Sequence, residues 1–91
     1  MPSECEKALV ELGYWLCELH DSIRWRKKTM PRAAESVTSA LKEVEKKCRL
    51  DVGAIESNLV EAARALRAGD RKAAGRAIKY ARENYRRLVG D

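Results

Sequence analysis

Apolar residues recur along this chain at intervals of three and four. Cys5, Leu9, Leu12, Leu16, Leu19 and Ile23 are spaced 4, 3, 4, 3, 4, the repeat that returns side chains to one face of an α-helix. Val10, Tyr14 and Cys17 form a second stripe beside that seam, and Trp15 widens it. Between Ala8 and Leu19 only Glu11, Gly13 and Glu18 interrupt the apolar surface. A helix apolar over so much of its circumference is either central to its domain or half-covered by a second chain. The same repeat returns in Val37, Leu41, Val44 and Cys48, then in Val52, Ile55, Leu59, Ala62 or Ala63 and Leu66, and last in Ala74, Ile78, Ala81, Tyr85 and Leu88. The strict alternation of a half-buried strand appears nowhere, and Ala is the commonest residue, with 13.

Local signals divide the pattern into helices. Ser3 and Glu6 have the spacing of a capping box. Pro31 suits a first helical turn, where its missing N–H would have no partner anyway. Asp51 is a good N-cap, with Leu50 placed to pack on Ile55 as a hydrophobic staple. Gly69 supplies a left-handed C-cap and Asp70 the next N-cap. Turns are therefore expected near 28–31, 49–52 and 68–70. Four helices with short loops pack antiparallel, so residues 1–91 are predicted to form one all-α domain, an up-down-up-down four-helix bundle. The joint at 49–53 holds no proline. A helix running through it would give the alternative, a three-helix bundle with a long second helix.

The stretch from Ala62 to Ala81 resembles one tetratricopeptide-type helical hairpin on Ala62, Gly69, Asp70, Ala74, Ile78 and Ala81. It departs from that pattern at Ala65, where the family has an aromatic, and at Arg86, where it has a closing proline. There is no second copy to stack on, and the resemblance brings no functional residues to this chain.

With 91 residues the core is small, and such domains gain from a covalent staple or from association. Three cysteines stand at positions 5, 17 and 48. Cys5 opens the first predicted helix and Cys48 closes the second, which puts both at one end of the bundle. They are a disulfide candidate if their Cα atoms come within about 7 Å; otherwise they are reduced core thiols. No CxxC pair exists and there is one His, so no metal or cofactor is implied. There is no apolar run of membrane-spanning length and no secretory pattern. The expected location is cytoplasmic, with no membrane partner. The absence of Gln and the many Arg and Glu match a thermophile's composition.

Catalytic signals are missing. His20, Asp21 and Glu18 are one or two residues apart and point different ways on a helix. No nucleophile elbow or glycine-rich phosphate loop is present. The chain is read as a non-enzyme with no catalytic residues, and His20 as structural.

Charge is the most informative feature. The formal net charge is +5. Residues 24–32 hold Arg24, Arg26, Lys27, Lys28 and Arg32 and no acid, and residues 71–91 are also strongly basic. In the predicted topology the first and third turns share one end. Arg24, Trp25, Arg26, Lys27, Lys28, Arg32, Arg67, Arg71 and Lys72 should gather there, cations with an interleaved aromatic, as phosphate contact and base stacking require. The plainer account is that cations at helix C-termini complement the helix dipole, that Trp25 closes the core, and that Arg86 and Arg87 pair with Glu4 and Glu6. Two functions follow as expectations. One is weak, sequence-independent binding of nucleic acid or membership of a nucleic-acid-associated complex. The other is a protein interaction module, docking an acidic protein or forming a homo-oligomer through Val10, Tyr14, Trp15 and Cys17.

Overall fold

Each predicted turn has its own stereochemical stop in the computed structural model, which describes residues 3–90. The helices are α1 (Glu4–Arg24), α2 (Met30–Cys48), α3 (Gly53–Arg67) and α4 (Arg71–Val89), and no strand occurs among the described residues. Ser3 opens α1, its Oγ accepting the Glu6 amide at 3.1 Å. At the far end the Lys27 amide reaches back to the Ser22 carbonyl at 3.0 Å while Arg26 turns into the left-handed region at φ 53°. That is a Schellman-type stop made with an arginine where glycine is commonest. Pro31 falls in the first turn of α2 as expected.

The 49–53 joint breaks. Arg49 adopts φ 54° at the end of α2, so the three-helix alternative is replaced by four separate helices. α3 starts one residue later than its capping signal suggests. Val52 is the N-cap residue, and Asp51 accepts the Gly53 amide at 2.9 Å from one position further out. The reason is packing: Val52 is only 2% exposed, and burying its side chain fixes where the helix can begin. Gly69 is left-handed at φ 77°, and the Asp70 carboxylate accepts the Ala73 amide at 3.0 Å, as the sequence predicts.

The close packings join α1 to α2, α1 to α4 and α3 to α4. Side-chain pairs show the alternating directions. Cys5 and Cys48 join the start of α1 to the end of α2, Arg71 reaches Ile23 from the start of α4, and Tyr85 reaches Leu9 from its end. Leu12, Leu16, Val37, Val44, Ile55 and Ile78 are fully buried, and each such side chain contributes roughly 1.5–3 kcal/mol. α4 buries mostly small residues, Ala74, Ala77 and Ala81 beside Ile78, which lets it lie close. Ala62 rather than Ala63 carries the α3 seam.

Two sequence expectations at the other end resolve differently. Glu4 pairs with Lys47 at 3.1 Å, not with Arg86 or Arg87, because the antiparallel α1–α2 pair brings the end of α2 nearer than that of α4. Cys5 and Cys48 form a disulfide, with Cα atoms 4.9 Å apart. Cys17 is free and exposed. On the outward face of α1, Val10 is 69% and Tyr14 56% exposed. Trp15 is half-buried against the core and meets the Tyr14 ring edge-on at 5.0 Å. No helix among the described residues is long and apolar enough to cross a membrane.

Candidate nucleic-acid interface

The end of α1 and the first turn of α4 enclose an open recess of about 450 Å³. Its walls are His20, Ile23, Arg24, Arg26, Arg71 and Lys72, with Gly75 at the side of α4. Three arginines and a lysine line one hollow, and no acidic residue lines it. Asp70, just before Arg71, is turned onto the Ala73 amide, and Asp21 acts on the ring of His20.

The stop of α1 positions these cations. The Schellman-type turn spends the Lys27 amide on Ser22, so the Ile23 carbonyl lacks its usual helical donor. The Arg71 guanidinium donates to that carbonyl instead, tying α4 to α1. Arg24 lies over the Trp25 ring at 5.1 Å from its centroid, a cation–π contact. Trp25 itself is 64% exposed. It therefore does not close the core, and the indole is largely open to solvent with the Arg24 guanidinium over its ring. Ser22 is buried and donates to the Glu18 carbonyl at 2.7 Å, with Thr29 Oγ1 3.5 Å away, which steadies the start of the next turn.

His20 sits at the inner edge. Its Nδ1 is 3.4 Å from the Arg82 guanidinium. A guanidinium only donates, so that ring nitrogen accepts and carries no proton. Burial, then the charges of Arg82, Arg24 and Lys79, hold the imidazole below its ordinary pKa of 6.5, against the opposing pull of Asp21. The ring is neutral near pH 7.

Of the nine residues expected at this end, Arg24, Arg26, Arg71 and Lys72 share the recess, and Trp25, outside its lining, carries the Arg24 guanidinium on its ring. Lys27 and Lys28 are exposed in the turn, and Arg67 is exposed in the last turn of α3. Arg32 does not join them. It lines a separate depression between α1 and α2 with Glu11, Glu35 and Glu43, a surface of mixed charge. His20 and Gly75 belong to the recess and were not singled out for it by the sequence. Their spacing carried a signal, since His20 lies four residues before Arg24 and Gly75 four after Arg71, which places each pair on one helix face.

The chain matches no family model, no curated protein and no solved structure. No tetratricopeptide family model matches the α3–α4 hairpin. Among the described residues no group of three or more His, Cys, Asp or Glu could hold a metal ion. What this end of the bundle offers chemically is concentrated, partly fixed positive charge and a largely exposed indole next to Arg24.

Proposed function

We propose that this protein is non-catalytic and binds nucleic-acid phosphates without sequence preference, through the end formed by residues 24–28 and 67–72, alone or within a nucleic-acid-associated complex. The observation that carries the proposal is the placement of Arg71 and Lys72. Cations at helix C-termini are accounted for by the helix dipole, and Arg24 and Arg67 fit that account. Arg71 and Lys72 occupy the first turn of α4, which holds no acid. There the dipole is positive and a cation is unfavourable. The Asp70 carboxylate at the N-cap offsets one of these charges; an anionic partner would offset the other, and the exposed indole of Trp25 suits bases better than it suits water.

Fluorescence anisotropy of labelled single- and double-stranded oligonucleotides at low and physiological salt tests this. Binding should be weak and should fall with salt at roughly 0.9 logarithmic units per phosphate neutralised on duplex. Lys27→Glu with Lys28→Glu should abolish it without changing the melting temperature, because both side chains are exposed. An unaltered affinity in that variant, or no binding at low salt, would sink the proposal.

A second reading has its own observation. Val10, Tyr14 and Cys17 stand exposed in one stripe on α1, with Trp15 beside them. Contiguous exposed apolar surface on a small domain marks an interaction face, and a homo-oligomer contact is the form we favour for it.

A further inference from the structure

We propose that the recess between the end of α1 and the first turn of α4 is a pocket for a terminal phosphate. Its ligand would be the dianionic phosphomonoester at the end of a nucleic-acid strand or on a free nucleotide, not the monoanionic diesters inside a strand. The proposal rests on the reading of this end as a nucleic-acid interface and narrows it to one chemical group.

The shape of the charge is the first argument. A surface that tracks a backbone needs a line of cations, whereas Arg24, Arg26, Arg71 and Lys72 all line a single hollow. Its volume of about 450 Å³ is many times the roughly 30 Å³ share of one water. A phosphate group with part of its sugar fits. A monoester carries close to two charges above its second pKa of about 6, and four cations with no lining carboxylate favour the second charge.

Preorganisation is the second argument. Arg71 is held by the Ile23 carbonyl and Arg24 by the Trp25 ring, so less side-chain freedom is lost when they meet a ligand. The backbone amides of Arg71 and Lys72 lie in the first turn of a 19-residue helix, where N–H groups have no helical acceptor, and the Asp70 carboxylate takes the Ala73 amide of the same turn.

Gly75 supplies the third. It interrupts the interior of α4, where glycine is less favourable than alanine. Packing does not call for it, since a Cβ built there meets nothing within 4 Å. The missing side chain leaves the recess open at the helix surface.

The test uses the full chain and short single-stranded DNA in three forms: 5′-phosphorylated, 5′-hydroxyl, and a 5′-hydroxyl strand lengthened to equal the charge of the first. The phosphorylated strand should bind about tenfold more tightly than either. Gly75→Leu adds bulk without changing charge. It should bring the phosphorylated strand down to the affinity of the others. Should that variant fold poorly, Arg26→Gly serves instead, because glycine is at ease at φ 53°. It should lose the preference while keeping the fold. A nucleoside 5′-monophosphate or inorganic phosphate that displaces the phosphorylated strand identifies a free phosphate as sufficient. Displacement by strand ends alone assigns the pocket to nucleic-acid termini. Equal binding of all three strands overturns the pocket and leaves the interface standing. Binding of the monophosphate with no binding of any strand supports the pocket and overturns the interface, and no binding of anything overturns both.

Discussion

Gly13 of α1 provides the seat for Tyr85 of α4. The Tyr85 hydroxyl donates to the Leu9 carbonyl at 2.6 Å, and a Cβ on Gly13 would lie 2.7 Å from its Oη and 2.8 Å from Cζ. An alanine there would force the ring off its hydrogen bond. Gly13→Ala gains about 1 kcal/mol of helix propensity but sets it against roughly 1–3 kcal/mol of overpacking. We expect a net loss of stability in urea denaturation. In a Tyr85→Leu background the same substitution should become neutral or stabilising, the signature of a direct coupling between the two positions.

The Cys5–Cys48 disulfide closes a loop with a sequence separation of 43. Chain-entropy arguments assign about 4 kcal/mol to a crosslink of that span. Reduction should therefore lower the melting temperature steeply. Thiol titration of the unfolded, unreduced protein should find only Cys17, and reduction should raise the count to the three cysteines of the chain. An unchanged melting curve under reductant would contradict this.

His20 makes stability depend on pH. Its pKa in the folded chain is held below the ordinary 6.5, by burial first and then by Arg82. The unfolded chain thus takes up a proton at a higher pH than the folded one. The contribution is complete above 6.5 and is lost as pH falls from there through the folded value. His20→Gln should flatten the stability profile in that window and leave it unchanged above. An NMR titration of the ring should place its midpoint below that of an unfolded reference.

Trp25 lies outside the core, so Trp25→Ala should leave the melting temperature nearly unchanged. If the indole stacks on bases, the variant should lose roughly tenfold in affinity for single strands and less for duplex, with the salt slope unaltered. Anisotropy with both substrates separates these outcomes.

The exposed stripe of α1 predicts self-association. Light scattering at high micromolar concentration should give more than the monomer mass. Tyr14→Glu should return the monomer, because Tyr14 is 56% exposed and a charge costs little on the free chain but much inside an apolar contact. A monomer mass for the unaltered protein would count against the face.

The sequence by itself determined the helices, their directions and most of their ends. Leu12, Leu16, Val37 and Ile78 were legible as core because helical periodicity is a relation among residues three or four apart. Ser3, Gly69 and Asp70 were legible as stops because a cap bonds its own next turn. What the sequence left open joins residues far apart in the chain. Reduced Cys5 and Cys48 and the bonded pair read alike until the register of α1 on α2 brings their Cα atoms to 4.9 Å. Val52 displaced Asp51 as the cap residue because the core took its side chain. Arg32 shared the charge and the end of the bundle with Arg24, yet it faces another side. His20 and Gly75 line one recess because α4 packs against α1 there, where Arg71 also meets the Ile23 carbonyl. Capping and periodicity are settled within a turn or two of helix. Which side chains line a common hollow depends on the rotation and offset of whole helices, and those are chosen by the packing of every buried residue together.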